Sequence, residues 1–334
     1  MTTEPVHEEL GGPDPALAEA ELELAADLDA IAPRRQGRAA GGSRVRVRPI
    51  LGSIAIVIAI LVVWEGGKWL GGDPWRFKSI LGFPVAIDYH PPFAWKFFSD
   101  LNFPHLWVIL EAFVRRDSNG VPVTVLLVEA AFFTFRGALA GFILGASLGL
   151  GLAIALVHIR LLERSLVPLL VASQTVPIVA VAPVIVVGLK AGWFGIALVA
   201  AYLTFFPVTI AAVRGMRSAD QRAFELMRSY AASDREILLH LRLPAAAPYL
   251  FTAFKIAATA SVVGAIVGEL PSGIRDGLAG QLLNAMQYYS IQPGALWAAI
   301  VVASLLGIGC FALVVLAERR VLRNYRPTEP GAAT

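Results

Sequence analysis

Cysteine is almost absent from this sequence. Cys310 is the single one, so no internal disulfide can form, and no C-x-x-C pair or Cys/His cluster offers a metal site. Charge is scarce too. Only 16% of the residues are Asp, Glu, Lys or Arg, against about 25% in an ordinary soluble domain. No G-x-x-x-x-G-K-[ST] segment occurs, which excludes a phosphate loop of that type. Paired carboxylates and a Ser/His/Asp set are missing as well. The net charge is a modest +3, and the arginines sit in short clusters between apolar runs. That distribution does not point to nucleic acid.

Apolar residues are what the chain has, at 57%. One water-soluble core does not need so many, and lipid is the natural solvent for the excess. A helix must run for about 20 predominantly apolar residues to cross a bilayer. Six segments qualify, at roughly 50–70, 124–157, 166–189, 193–213, 247–269 and 294–317. The sequence thus predicts an all-α, polytopic membrane bundle with six transmembrane helices. Ahead of it, residues 1–49 read as a solvated tail, acidic from Glu4 to Asp29 and then basic from Arg34 to Arg48. Residues 50–123 read as the first span and an outer loop. Within that loop, 93–114 is apolar but carries Lys96, Asp100 and Pro104. This suits one or two amphipathic helices at the outer membrane surface. Residues 124–325 read as the main transmembrane domain and 326–334 as a short tail.

Six crossings place both termini on one side. Of the 28 Lys and Arg residues, 18 fall in the N-terminal tail, 158–165, 214–246 and 318–334. Cytoplasmic segments carry the excess of basic residues, so both termini are expected in the cytoplasm. In the second predicted span, Gly137, Gly141, Gly145 and Gly149 recur every fourth residue. They make one smooth helix face that another backbone can approach closely.

The 214–246 segment is the longest internal cytoplasmic connection. It is rich in helix formers rather than in Gly, Ser or Pro. Ser218 or Asp220 can cap a helix over 221–230. Ser233 can cap a second, with Glu236 three residues on as its capping-box partner. Pro244 is expected to end that second helix. The result is a short helix–turn–helix on the cytoplasmic face, a shape suited to docking on a partner protein.

This segment resembles the EAA loop of ATP-binding-cassette importer permeases. Glu225 holds the glutamate position, with Leu226 and Met227 in place of the paired alanines. Ala231 stands where the pattern has Gly, followed by Ala232, Ser233 and Asp234. Leu241, Leu243 and Pro244 hold the I-x-L-P positions. The nitrate/sulfonate/taurine-type branch is the most similar. The departure at Ala231 implies a turn that is either no longer left-handed or strained. The likeness extends over about 124–325 and implies a type I importer permease fold in a bacterial inner membrane. It also implies two ATPase subunits docked on residues 225–244, a second permease copy, most simply an identical one, and an extracytoplasmic solute-binding protein. ATP and magnesium would then sit on the ATPase, with no cofactor on this chain. The solute would be a small sulfonate-, taurine- or nitrate-like anion, or a heterocyclic vitamin precursor.

Polar groups inside spans are costly and so are functional candidates. Ser173, Gln174 and Thr175 stand beside Pro177 in the third predicted span. Tyr202 and Thr204 lie within the fourth, and Glu269 ends the fifth, where gating the outer mouth and pairing with Arg275 are both open to it. These six are the candidate substrate path. Lys255 is expected to snorkel towards the cytoplasm. An ion-coupled secondary transporter is the alternative, but it calls for repeated halves with broken helices, and no internal repeat is visible. A membrane enzyme would need a reactive constellation.

Overall fold

The computed structural model describes residues 47–77, 87–117, 119–188, 190 and 192–324. Nearly all of the predicted acidic and basic tail, and the C-terminal tail at 326–334, lie outside the described residues. The chain divides into two compact units, up to Ile60 and from Leu61 onward. Helix α1 (Val47–Leu70) begins in the first unit and ends in the second. In the first unit Ile54, Ile56 and Val57 are exposed, as suits side chains meant for lipid.

The second unit is almost entirely helical. After α1 comes a two-stranded antiparallel hairpin, β1 (Trp75–Phe77) with β2 (Ile87–Tyr89). A short 3-10 turn at Lys96–Phe98 and α2 (Leu106–Val114) follow. Only the second of these two is an α-helix, so 93–114 holds one of the one or two helices the sequence predicts. The long helices are α3 (Val123–His158), α6 (Gly192–Arg217), α9 (Leu243–Glu269) and α11 (Pro293–Val321). Each is long and apolar enough to cross a membrane, α9 being continuous with the shorter helix ahead of it from Asp234.

The predicted third span is not straight. It consists of α4 (Arg160–Ser173) and α5 (Ile178–Pro183), which continues through a π turn at Val184–Gly188. The two halves meet at 92° and count as a fifth crossing if they are taken as one. The break has a local cause. Pro177 has no N–H to donate, and a proline drives the residue before it out of helical conformation. Chain turns at 174–177 satisfy the freed groups instead, with Gln174, Thr175 and Val176 donating N–H bonds three residues back.

The glycine stripe of α3 lies against α6. A Cβ added at Gly141 would stand 2.4 Å from the Ala200 Cβ and 2.7 Å from the Ala197 carbonyl oxygen. Gly149 would meet the Phe205 carbonyl at 2.7 Å. Helix α9 closes on α6 in the same way, with Gly264 against the Ala200 Cα. Two buried clusters fill the junction, one around Ala153, Val208, Met216 and Ala257, the other around Ala138, Ile196, Ala200 and Ala265. These three helices are joined mainly through alanine and glycine, the composition expected where van der Waals packing rather than water exclusion must hold helices together.

Near the end of α1 a polar knot is buried under aromatic rings. The Lys68 ammonium bonds to the Asp100 carboxylate and the Phe103 carbonyl. The Glu65 carboxylate accepts the Leu106 N–H at 2.7 Å and lies 3.0 Å from the His105 Nδ1. Trp107 stacks on His105, while Trp64 packs edge-on against Phe103 and Trp297. Lys68 and His105 are each only 1% exposed, a burial that an ammonium tolerates only when paired.

Candidate functional site

The 214–246 segment leaves the bundle from a clamped base. Gly215 near the end of α6 sits so close to α9 that an added Cβ would be 2.7 Å from the Ala246 Cα. Arg217 pairs with Glu163 of α4. From this base emerge α7 (Gln221–Ser229) and the one-turn helix α8 (Asp234–Ile237). Of the two candidate caps, Asp220 is the one used: its carboxylate accepts the Arg222 N–H at 3.0 Å. The capping box at α8 forms as the sequence predicts. Ser233 N–H donates to Glu236 at 2.7 Å, and Glu236 N–H donates back to the Ser233 hydroxyl at 3.3 Å.

Between them the chain makes a Schellman turn. Ala232 N–H donates to the Met227 carbonyl and Ala231 N–H to that of Arg228, both at 3.0 Å. Ala231 must then be left-handed, and its φ is +56°. Of the two readings of this position, strain is the right one. A left-handed alanine costs about 1–2 kcal/mol, so the surrounding caps must hold it. Phe224 adds a clamp that composition does not reveal. Its ring lies 5.5 Å from the guanidiniums of both Arg228 and Arg242, tying α7 to the chain beyond α8.

Pro244 does not end the second helix. A π turn at Leu238–Arg242 leads from α8 straight into α9, with the Leu243 N–H reaching back five residues to the Leu238 carbonyl. The shifted ladder spares the proline the hydrogen bond it cannot donate. On the outer side of this unit Leu226 is 58% exposed and Tyr230 80% exposed. Glu225 is exposed beside them and accepts a bond from Gln221 at 2.9 Å. Ala232, Met227, Leu241 and Leu243 are half-buried and face inward more than out.

The six path candidates separate into two groups. Ser173, Gln174 and Thr175 occupy the α4–α5 break, and the Tyr202 hydroxyl of α6 donates to the Ser173 carbonyl. Gln174 and Thr175 are exposed. Thr204 and Glu269 lie elsewhere, each fully buried. The Thr204 hydroxyl bonds within α6 to Ala200 at 2.9 Å and faces the Ala257 carbonyl of α9. Glu269 accepts the Ala279 N–H at 3.0 Å and makes no ion pair with Arg275 among the described residues. Lys255 has a partner that the sequence does not show. Both Glu318 oxygens of α11 lie 3.0 Å from its ammonium. The sequence holds no local sign of that pair, because the partners are 63 residues apart. A groove of about 560 Å³ between α6 and α9, lined by Pro207, Arg214, Pro248 and Thr252, opens near the clamped base.

Against known families, residues 145–323, more than half of the chain, match the binding-protein-dependent transport system inner membrane component. The chain belongs to this family. The riboflavin transport system permease protein of Chloroflexus aurantiacus is 31% identical over 82% of this chain and 90% of its own length. The formylaminopyrimidine transport permease protein of Halalkalibacterium halodurans is 36% identical over 60% of this chain and 80% of its own. The protein is therefore an integral membrane permease subunit of an ATP-binding-cassette transporter. It is not itself an enzyme: ATP is hydrolysed by a separate ATPase subunit, and a solute-binding protein completes the system.

The permease loop yields one direct expectation. Ala231→Gly should relieve the left-handed strain and stabilise the turn by about 1 kcal/mol. Hydrogen exchange of the Ala231 and Ala232 amides should slow about fivefold, the kinetic equivalent of that energy under fast-closing conditions. An unchanged rate would mean that the turn opens without passing through this backbone conformation.

Proposed function

We propose that two copies of this permease flank one central pathway and import a heterocyclic vitamin or vitamin precursor, driven by two ATPases docked on residues 225–244. Both termini lie in the cytoplasm in this reading, with six crossings and the hairpin outside. The bias of basic residues towards 214–246 and the termini supports that orientation.

The observation that carries the coupling role is the build of α7 and α8. They are capped at both starts, pinned by the Phe224 clamp, and still expose Leu226 and Tyr230. A rigid short helix that leaves apolar side chains unpartnered suits a groove on another protein. The named relatives support a heterocycle. The bent α4–α5 pair supports a path beside Gln174 and Thr175, since irregular backbone at membrane depth is tolerated where it lines a polar route.

The test is reconstitution of the permease, its ATPase and its binding protein in vesicles. Riboflavin or formylaminopyrimidine should accumulate only when ATP is supplied. Uptake driven by a proton or sodium gradient without ATP would overturn the importer reading in favour of a secondary transporter.

A further inference from the structure

At the far end of α9 from the docking helices, the chain turns into α10 (Leu278–Gln287). Gln281, Asn284 and Gln287 stand three residues apart on it, so they share one face. With Arg275 they line a hollow of about 400 Å³, walled on the apolar side by Ile274 and Leu283. That size is within the range of small-ligand pockets, about 300–1,000 Å³.

Several polar groups nearby are already engaged, although one Glu269 carboxylate oxygen is buried without a hydrogen-bond partner. Ser272 donates to the Glu269 carbonyl, Thr134 accepts the Leu278 N–H, and the Tyr289 hydroxyl bonds to Leu101. Arg275, Asn284 and Gln287 are exposed and Gln281 is half-buried. Among the described residues none of these side chains has a hydrogen-bond or ion-pair partner in the protein, so all four are open to a ligand from solvent. The tight approach of Gly280 keeps Arg275 at the hollow. A Cβ there would lie 2.5 Å from the Arg275 carbonyl oxygen, so only glycine lets that backbone rest on α10.

We propose that this hollow is a receiving site for the solute, and that it selects a heterocycle with an amide or imide edge. The inference rests on the importer reading above. A primary amide offers both donors and an acceptor, which matches a ring edge alternating N–H and C=O. Three amides and one guanidinium, with no carboxylate lining the hollow, fit a neutral or weakly anionic ring. A compact anion calls for clustered guanidiniums instead. Ile274 and Leu283 cover the ring faces.

The experiment uses the full permease purified with its ATPase, carrying Cys310→Ala and Asn284→Cys. The rate of maleimide labelling is measured with millimolar riboflavin, formylaminopyrimidine or hexanesulfonate. One of the two heterocycles should slow labelling at least fivefold, and the sulfonate should not. Gln287→Leu should abolish that protection. In vesicles Asn284→Leu should raise the half-saturating concentration for uptake about tenfold, the scale of one lost hydrogen bond to a ring, with retained ATPase unchanged. Protection by neither heterocycle, by the sulfonate alone, or unaffected by Gln287→Leu overturns the site. If ATP still drives uptake in that case, the importer reading stands and only this site falls. If ATP drives no uptake, the importer reading itself fails.

Discussion

Gly145→Leu should leave no stably folded permease. A Cβ at this position would lie 2.5 Å from the Ala201 carbonyl oxygen, 2.8 Å from the Thr204 Cβ and 3.0 Å from the Ala201 Cα. Two of these three atoms are backbone and cannot rotate away. Leucine adds three more carbons beyond the Cβ, so α3 and α6 must separate along the stripe. Overpacking of a well-packed core costs about 1–3 kcal/mol when side chains can adjust, and more when they cannot. Separation would also empty the cluster around Ala153 and Val208 and draw Thr204 away from α9. The comparison is Gly151→Leu on the same helix, where an added Cβ meets nothing within 4 Å. Monodisperse yield and Tm in detergent provide the readout. The Gly151 variant should match the parent, and the Gly145 variant should aggregate. Equal Tm values for all three proteins would mean that α3 and α6 do not meet through this face.

Leu226→Asp should strip the ATPase from the complex while leaving the permease folded. Leu226 is 58% exposed in the isolated subunit, so the substitution disturbs little there. In a docked contact the new carboxylate would be desolvated without a partner, at a cost of several kcal/mol. That corresponds to a loss of about 100-fold or more in affinity. Asp88→Lys, on the hairpin near the other end of the bundle, should have no effect on assembly. The measurement is ATPase retained on the purified permease, together with ATP hydrolysis stimulated by the loaded binding protein. A folded Leu226→Asp protein that retains its ATPase would show that docking does not use this face of α7.

Much of this permease is legible in its sequence. Apolar length marked the positions of α1, α3, α6, α9 and α11, because the bilayer sets how long an apolar run must be. The cap of α8 was legible too, while that of α7 was narrowed to Ser218 or Asp220. A capping box depends on residues three apart, and Ser233 and Glu236 carry it wholly within one turn. The glycine stripe announced a close helix contact without naming α6 as the partner. Its spacing is local, and the partner is not.

Only the tertiary structure decided the rest. It separated Thr204 and Glu269 from Gln174 and Thr175, since polarity within a span does not say which way the residue faces. It paired Lys255 with Glu318 and set Phe224 between two arginines. It carried the chain past Pro244 through a π turn rather than stopping it. It also assembled Arg275 with the amide row of α10 around one hollow. Caps, breaks and spans follow from neighbours along the chain, whereas burial and pairing follow from which helices the close-packed glycine faces bring together.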